Sequence, residues 1–140
     1  MNYDKYLNKL KKFDKKDRST FPYWFAHWCA FNMTALNLRM WKIKYLFHDI
    51  EKPFLMLLWK DYTKVQKWHR THNNHHLEYK GGVDSIDCEA LIIDWECSHF
   101  TKEKSQLKCR EEVLNKISMN HPQSDFLKNK IIPLLDKLNL

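Results

Sequence analysis

The chain reads as an all-α protein, a single compact bundle of six or seven helices, and three observations predict the helices. Its only two glycines are adjacent, Gly81-Gly82, which leaves few places for the sharp turns of a many-stranded sheet. Apolar residues recur at three- and four-residue intervals along most of the 140 positions. Helix-start signals, a hydroxyl or a proline, stand ahead of several of these runs.

Taken in order, Tyr3, Tyr6, Leu7, Leu10 and Phe13 give residues 2–14 the spacing of a short amphipathic helix. Thr20, with Pro22 suited to a first turn, starts a second helix running to about Leu36, where Asn37 can close it in a left-handed conformation. Met40 to His48 is a third apolar segment and ends in the dipeptide His48-Asp49. Pro53 then opens one long segment, PFLMLLWKDYTKVQKWHRTH. Asn73 to Asp84 carries loop signals, and Ser85 is a good N-cap for IDCEALIIDWECSHF, where Ile86, Ala90, Ile93 and Cys97 share a face. Lys102 to Ile117 and Ser124 to Leu138 supply two more helices around the turn MNHPQ. No repeat, linker or low-complexity stretch divides the chain. Residues 1–140 therefore read as one domain, with a core over about 20–138 and the helix 2–14 beside it.

Hydrophobic residues at 44% and aromatics at 14% exclude a disordered chain. The most apolar run, FPYWFAHWCAFNMTALNLRMW, is broken by His27, Asn32, Asn37 and Arg39, short of an uninterrupted membrane span of about 20 residues. Four scattered cysteines, Cys29, Cys88, Cys97 and Cys109, form no C-x-x-C pair and read as free thiols. With no signal-peptide pattern at the N-terminus, a cytoplasmic protein is expected, in the host cytoplasm if the source is a phage or virus. The net charge of +7 fits either a solvated lysine-rich surface or an anionic partner. The lysine run KLKKFDKK has little aromatic interleaving, so a nucleotide or other small anion is a better expectation than nucleic acid.

The stretch His69 to His76, HRTHNNHH, holds four of the eight histidines. A metal site, a pH-sensitive loop and chance would each explain it. Other possible ligands stand before and after: His27 amid Trp24, Trp28 and Phe31, then His48-Asp49, then Asp94 in the apolar run ALIIDW. A lone histidine on an aromatic helix face is usually a core residue, and an HD dipeptide is common. Asp94 is harder to dismiss, because a buried carboxylate needs a partner or a metal.

The ordered set H…HD…H…H…D resembles the HD-domain superfamily of metal-dependent phosphohydrolases. His48-Asp49-Ile50-Glu51-Lys52 is similar to that family's HD-x-x-K pattern, and His75-His76 followed by Gly81-Gly82 and Asp84 resembles the histidine-pair loop of some dinuclear members. A closer resemblance is to a family of small phage and bacterial proteins without an assigned activity. Its pattern comprises a helical histidine, HD-x-x-K, H-x-x-x-N-x-H-H, Asp-Trp and a late His-Pro turn. The matching residues are His27, His48 to Lys52, His69 with Asn73, His75 and His76, Asp94-Trp95, and His121-Pro122, over roughly residues 23–135.

The resemblance implies that His27, His48, Asp49 and Asp94 hold a first metal. Asp49 would bridge to a second held by His69 and one or both of His75 and His76, with His72 in reserve. Imidazole and carboxylate ligands suit one or two divalent ions of iron, manganese, zinc, cobalt or nickel better than calcium. Asp49 and Lys52 become the catalytic pair, and Lys52, Arg70 and Lys80 the candidates for contact with an anionic substrate. The expected activity is hydrolysis of a nucleotide or other phosphate ester by a metal-activated water. A dinuclear-iron oxygenase and a non-catalytic, metal-containing binder of an anion are the alternatives. His99 has no place in the set, and His121 reads as a turn residue.

Overall fold

Thr20 turns the chain into helix α1, Phe21–Asn37: its side chain accepts a hydrogen bond from the Tyr23 amide at 3.4 Å, and Pro22 occupies the first turn. The computed structural model describes residues 5, 18–82, 85–98, 100–101, 110–120 and 124–139. After α1 come a short 3₁₀ helix, Ile43–Phe47, and five α-helices: α2 (Glu51–Trp59), α3 (Tyr62–His72), α4 (Ser85–Ser98), α5 (Arg110–Asn120) and α6 (Ser124–Lys137). The described residues form an all-helical bundle with no strand. Apart from Lys5, the expected helix over residues 2–14 lies outside the described residues, as do the first part of the one expected from Lys102, Cys109, His99 and His121-Pro122.

Two boundaries differ from the sequence expectation, each for a local reason. The left-handed residue after α1 is Arg39, at φ 56°, rather than Asn37. Leu38 still donates its amide to the Thr34 carbonyl at 2.9 Å, so the helical ladder continues past Asn37 and the reversal is delayed. The long segment opened by Pro53 is two helices, α2 and α3. Lys60 closes α2 in the left-handed region at φ 53°, and the Asp61 side chain restarts the chain by accepting from the Lys64 amide at 3.1 Å.

The core forms where α1 packs on α4, the most extensive helix pair, and where α6 covers both α4 and α5. Phe31 and Ala35 of α1 meet a wall of Ile92, Ile93 and Cys97 on α4, continued by Ile117 and by Ile131 and Leu135, all fully buried. Each large side chain in this set stabilises the fold by about 1.5–3 kcal/mol through loss of water contact. Helix α2 lies aside from this packing, against α3 and only lightly against α1. No described helix is long and apolar enough to cross a membrane.

Candidate metal centre

Packing of α1 on α4 sets His27 opposite Asp94, with Nε2 3.1 Å from the Asp94 Oδ1. The HD turn is brought to the same place by α1 itself. The Trp24 indole donates to the Asp49 carbonyl at 2.8 Å, and the Trp28 indole to the Leu46 carbonyl at 2.9 Å. Asn32 adds a bond from its amide to the Tyr45 carbonyl at 3.2 Å. These aromatics thus hold the 3₁₀ segment across α1 by their polar tips. The turn is tight enough that Asp49 takes φ 59°, a left-handed conformation that aspartate tolerates better than most residues but which still costs about 1–3 kcal/mol.

Asp49 is the hub. Its Oδ1 lies 3.1 Å from His69 Nε2, 3.4 Å from His75 Nε2 and 3.5 Å from His48 Nε2. Its Oδ2 lies 3.5 Å from His27 Nε2 and accepts from the Lys52 ammonium. His48 Nε2 is 3.8 Å from Asp94 Oδ1, and His76 Nε2 is 2.6 Å from His69 Nε2. The residues fall into overlapping groups that could hold a metal ion: His27, His48 and Asp49 on one side, and Asp49, His69, His75 and His76 on the other. Asp49 belongs to both.

The donor atoms fit a cation. Buried polar atoms in folded proteins are hydrogen-bonded with few exceptions. Yet His48 Nε2, Asp49 Oδ1 and His75 Nε2 are buried with no hydrogen-bond partner, and the two nitrogens lie 3.5 Å and 3.4 Å from that oxygen. Three lone-pair acceptors at such spacing satisfy each other poorly and a shared cation well.

The proton equilibria agree. Burial drives the His48 imidazole down to about 4, against the pull of Asp49 and Asp94, so it presents a free lone pair at neutral pH. Burial, aided by the neighbouring His75, pushes His76 well below its ordinary value in the same way. At Asp49 burial works upward but is outweighed by His48, Lys52 and His69, which hold the carboxyl well below the usual range. Burial opposes the charge on Lys52 too, and Asp49 more than compensates, raising the ammonium above its usual value. His27 is raised well above its own, because Cys97, Asp49 and Asp94 together overcome its burial. Positive charge is favoured beside that carboxylate pair.

Two further residues join the site that the sequence did not single out. Glu51 accepts through Oε1 from His69 Nδ1 and from the Asn73 side-chain amide at 3.0 Å. A carboxylate on Nδ1 fixes the tautomer and turns the Nε2 lone pair toward Asp49 and His76, the usual support of a metal-ligating histidine. The signal was present in HDIEK, where Glu51 falls between two assigned residues. Cys97 is the second, forming with His27 and Asp94 a third potential metal-holding group. Its place on an apolar face concealed it.

Other candidates fall outside the cluster. His72 is exposed, stacked on Trp68 with its Nδ1 2.9 Å from the Trp68 carbonyl. Arg70 is exposed and pairs with Glu78 at 3.3 Å, and Lys80 is exposed. The chain matches no family model, no curated protein and no solved structure.

Proposed function

We propose that the chain is a metal-dependent phosphohydrolase of the HD-domain type, acting in the cytoplasm on a nucleotide or other phosphate ester. The observation that supports it most is the convergence of buried imidazoles and carboxylates on Asp49, with three of their acceptor atoms lacking any hydrogen bond.

His27, His48, Asp49 and Asp94 would hold one ion, and Asp49, His69, His75 and His76 the other. Divalent metals there would supply Lewis acidity toward a phosphoryl oxygen and lower the pKa of a bound water. The chain's own contribution is orientation and charge. Lys52 occupies Asp49 Oδ2, which leaves Oδ1 directed at His48, His69 and His75. Glu51 holds the His69 ring, and the Asn73 amide in turn holds Glu51. In the hydrolysis, water adds to phosphorus, the ester P–O bond breaks, and the alcohol leaves carrying a proton.

Elemental analysis of protein purified without a histidine tag tests the reading. Wild type is expected to carry roughly two ions per chain and to release phosphate from a panel of nucleotides and simple esters. Asp49→Ala removes the shared ligand, so both metal and phosphate release are expected to fall to background. Unchanged metal content in Asp49→Ala would refute the assignment. Oxygen consumption by the iron-loaded protein without phosphate release would reassign the same site to oxygenase chemistry.

A further inference from the structure

We propose that the cleft between the 3₁₀ helix, the turn after α3 and the first turns of α4 binds a phosphate monoester, with Lys44 anchoring the phosphoryl group and Phe47 supporting the organic part. The inference rests on the phosphohydrolase reading and names its substrate class.

The cleft has a volume of about 200 Å³. His48, Asp49 and His75 line it, and these are the residues whose buried acceptor atoms lack hydrogen bonds. It is therefore where a ligand from solvent meets the centre. Lys44 lies in its wall, with Nζ 3.2 Å from Oδ1 of the buried Asp87. That pairing tethers the ammonium and uses one of its three donors, while the side chain keeps 45% of its exposure. The remaining donors can reach an anion.

A phosphate monoester carries close to two negative charges at neutral pH, a diester only one. A monoester seated on the centre presents a second charge for Lys44 to meet. Phe47, 64% exposed, supplies an apolar face for a flat or compact leaving group. A volume of this size suits such a group better than a polymer strand. Arg70 and Lys80 do not line this cleft.

The test uses the metal-loaded full chain, with inorganic phosphate as the calorimetric probe and p-nitrophenyl phosphate and its bis-ester as substrates. Lys44→Met should weaken phosphate binding by about tenfold or more and raise KM for the monoester alike. Metal content should stay as in wild type, the diester KM should rise less than the monoester KM, and Lys44→Arg should restore phosphate binding. Phe47→Ala should raise KM for the aromatic monoester while leaving phosphate affinity unchanged. If Lys44→Met binds phosphate as tightly as wild type, the cleft assignment is overturned and the hydrolase reading stands. Wild type that holds its metals but neither binds phosphate nor cleaves either ester would overturn both.

Discussion

Helices α2 and α4 both carry apolar runs, FLMLLW and ALII, and the fold treats them in opposite ways. On α4, Leu91, Ile92 and Ile93 are all buried, between α1 on one side and α6 on the other. On α2 no residue is buried, and Phe54, Leu57 and Leu58 are 63%, 76% and 74% exposed. Composition does not separate the two helices; their neighbours do. Helix α2 is placed by its first turn, where Glu51 and Lys52 follow Asp49 into the centre, and it packs against α3 and only lightly against α1. Helix α4 does both jobs at once. It presents Asp94 to His27 from the same helix that fills the core.

The largest expected effect lies on α4. Ile92 is fully buried in the wall facing α1 and α6, so Ile92→Ala leaves a cavity that close packing cannot collapse. A loss of about 2–5 kcal/mol in urea unfolding is expected, with the metal content of the folded fraction retained. A loss within ordinary surface values would mean that the α1–α4 wall is not the core.

This division explains which features could be read from sequence. The helical class followed from periodicity and glycine scarcity, because both are local. The HD turn, the histidine stretch and Asp94 could be collected because polar residues stand out in apolar surroundings or repeat within a few positions. What brings His27 to Asp49, by contrast, is the pair of indole hydrogen bonds from Trp24 and Trp28 to carbonyls more than 15 residues away, and backbone acceptors have no sequence signature. Lys60 was equally hidden, since nothing about a lysine announces a left-handed residue, so α2 and α3 read as one helix. Glu51 stands in the sequence only as a variable position of HD-x-x-K. Its partners lie 18 and 22 residues ahead.

Glu51 gives the intermediate effect and sharpens the comparison by testing whether the value of α2 lies in its first turn. Glu51→Gln keeps the shape and one acceptor oxygen but removes the charge facing His69 Nδ1. Loss of such a carboxylate partner typically weakens a metal by 10–100-fold. Titration against a competing chelator should therefore show one ion weakened by that factor and the ion at His27 and Asp94 unchanged. Equal weakening of both, or of neither, would remove Glu51 from the support of His69.

The smallest effect is expected at Leu58, and it is the sharpest break point of the comparison. Leu58 lies one residue before the end of α2 and is 74% exposed, on a helix with no fully buried residue. Leu58→Ser gives up some helix propensity, a few tenths of a kcal/mol in a helix interior and less at a terminus. Its hydrophobic cost is small because the side chain is in water before and after folding. The change in unfolding free energy should therefore stay within about 0.5 kcal/mol, and metal content should not change. Ile92→Ala in the same assay fixes the scale. If Leu58→Ser instead costs as much as a core substitution, α2 is covered in solution as α4 is, and the contrast between the two helices fails.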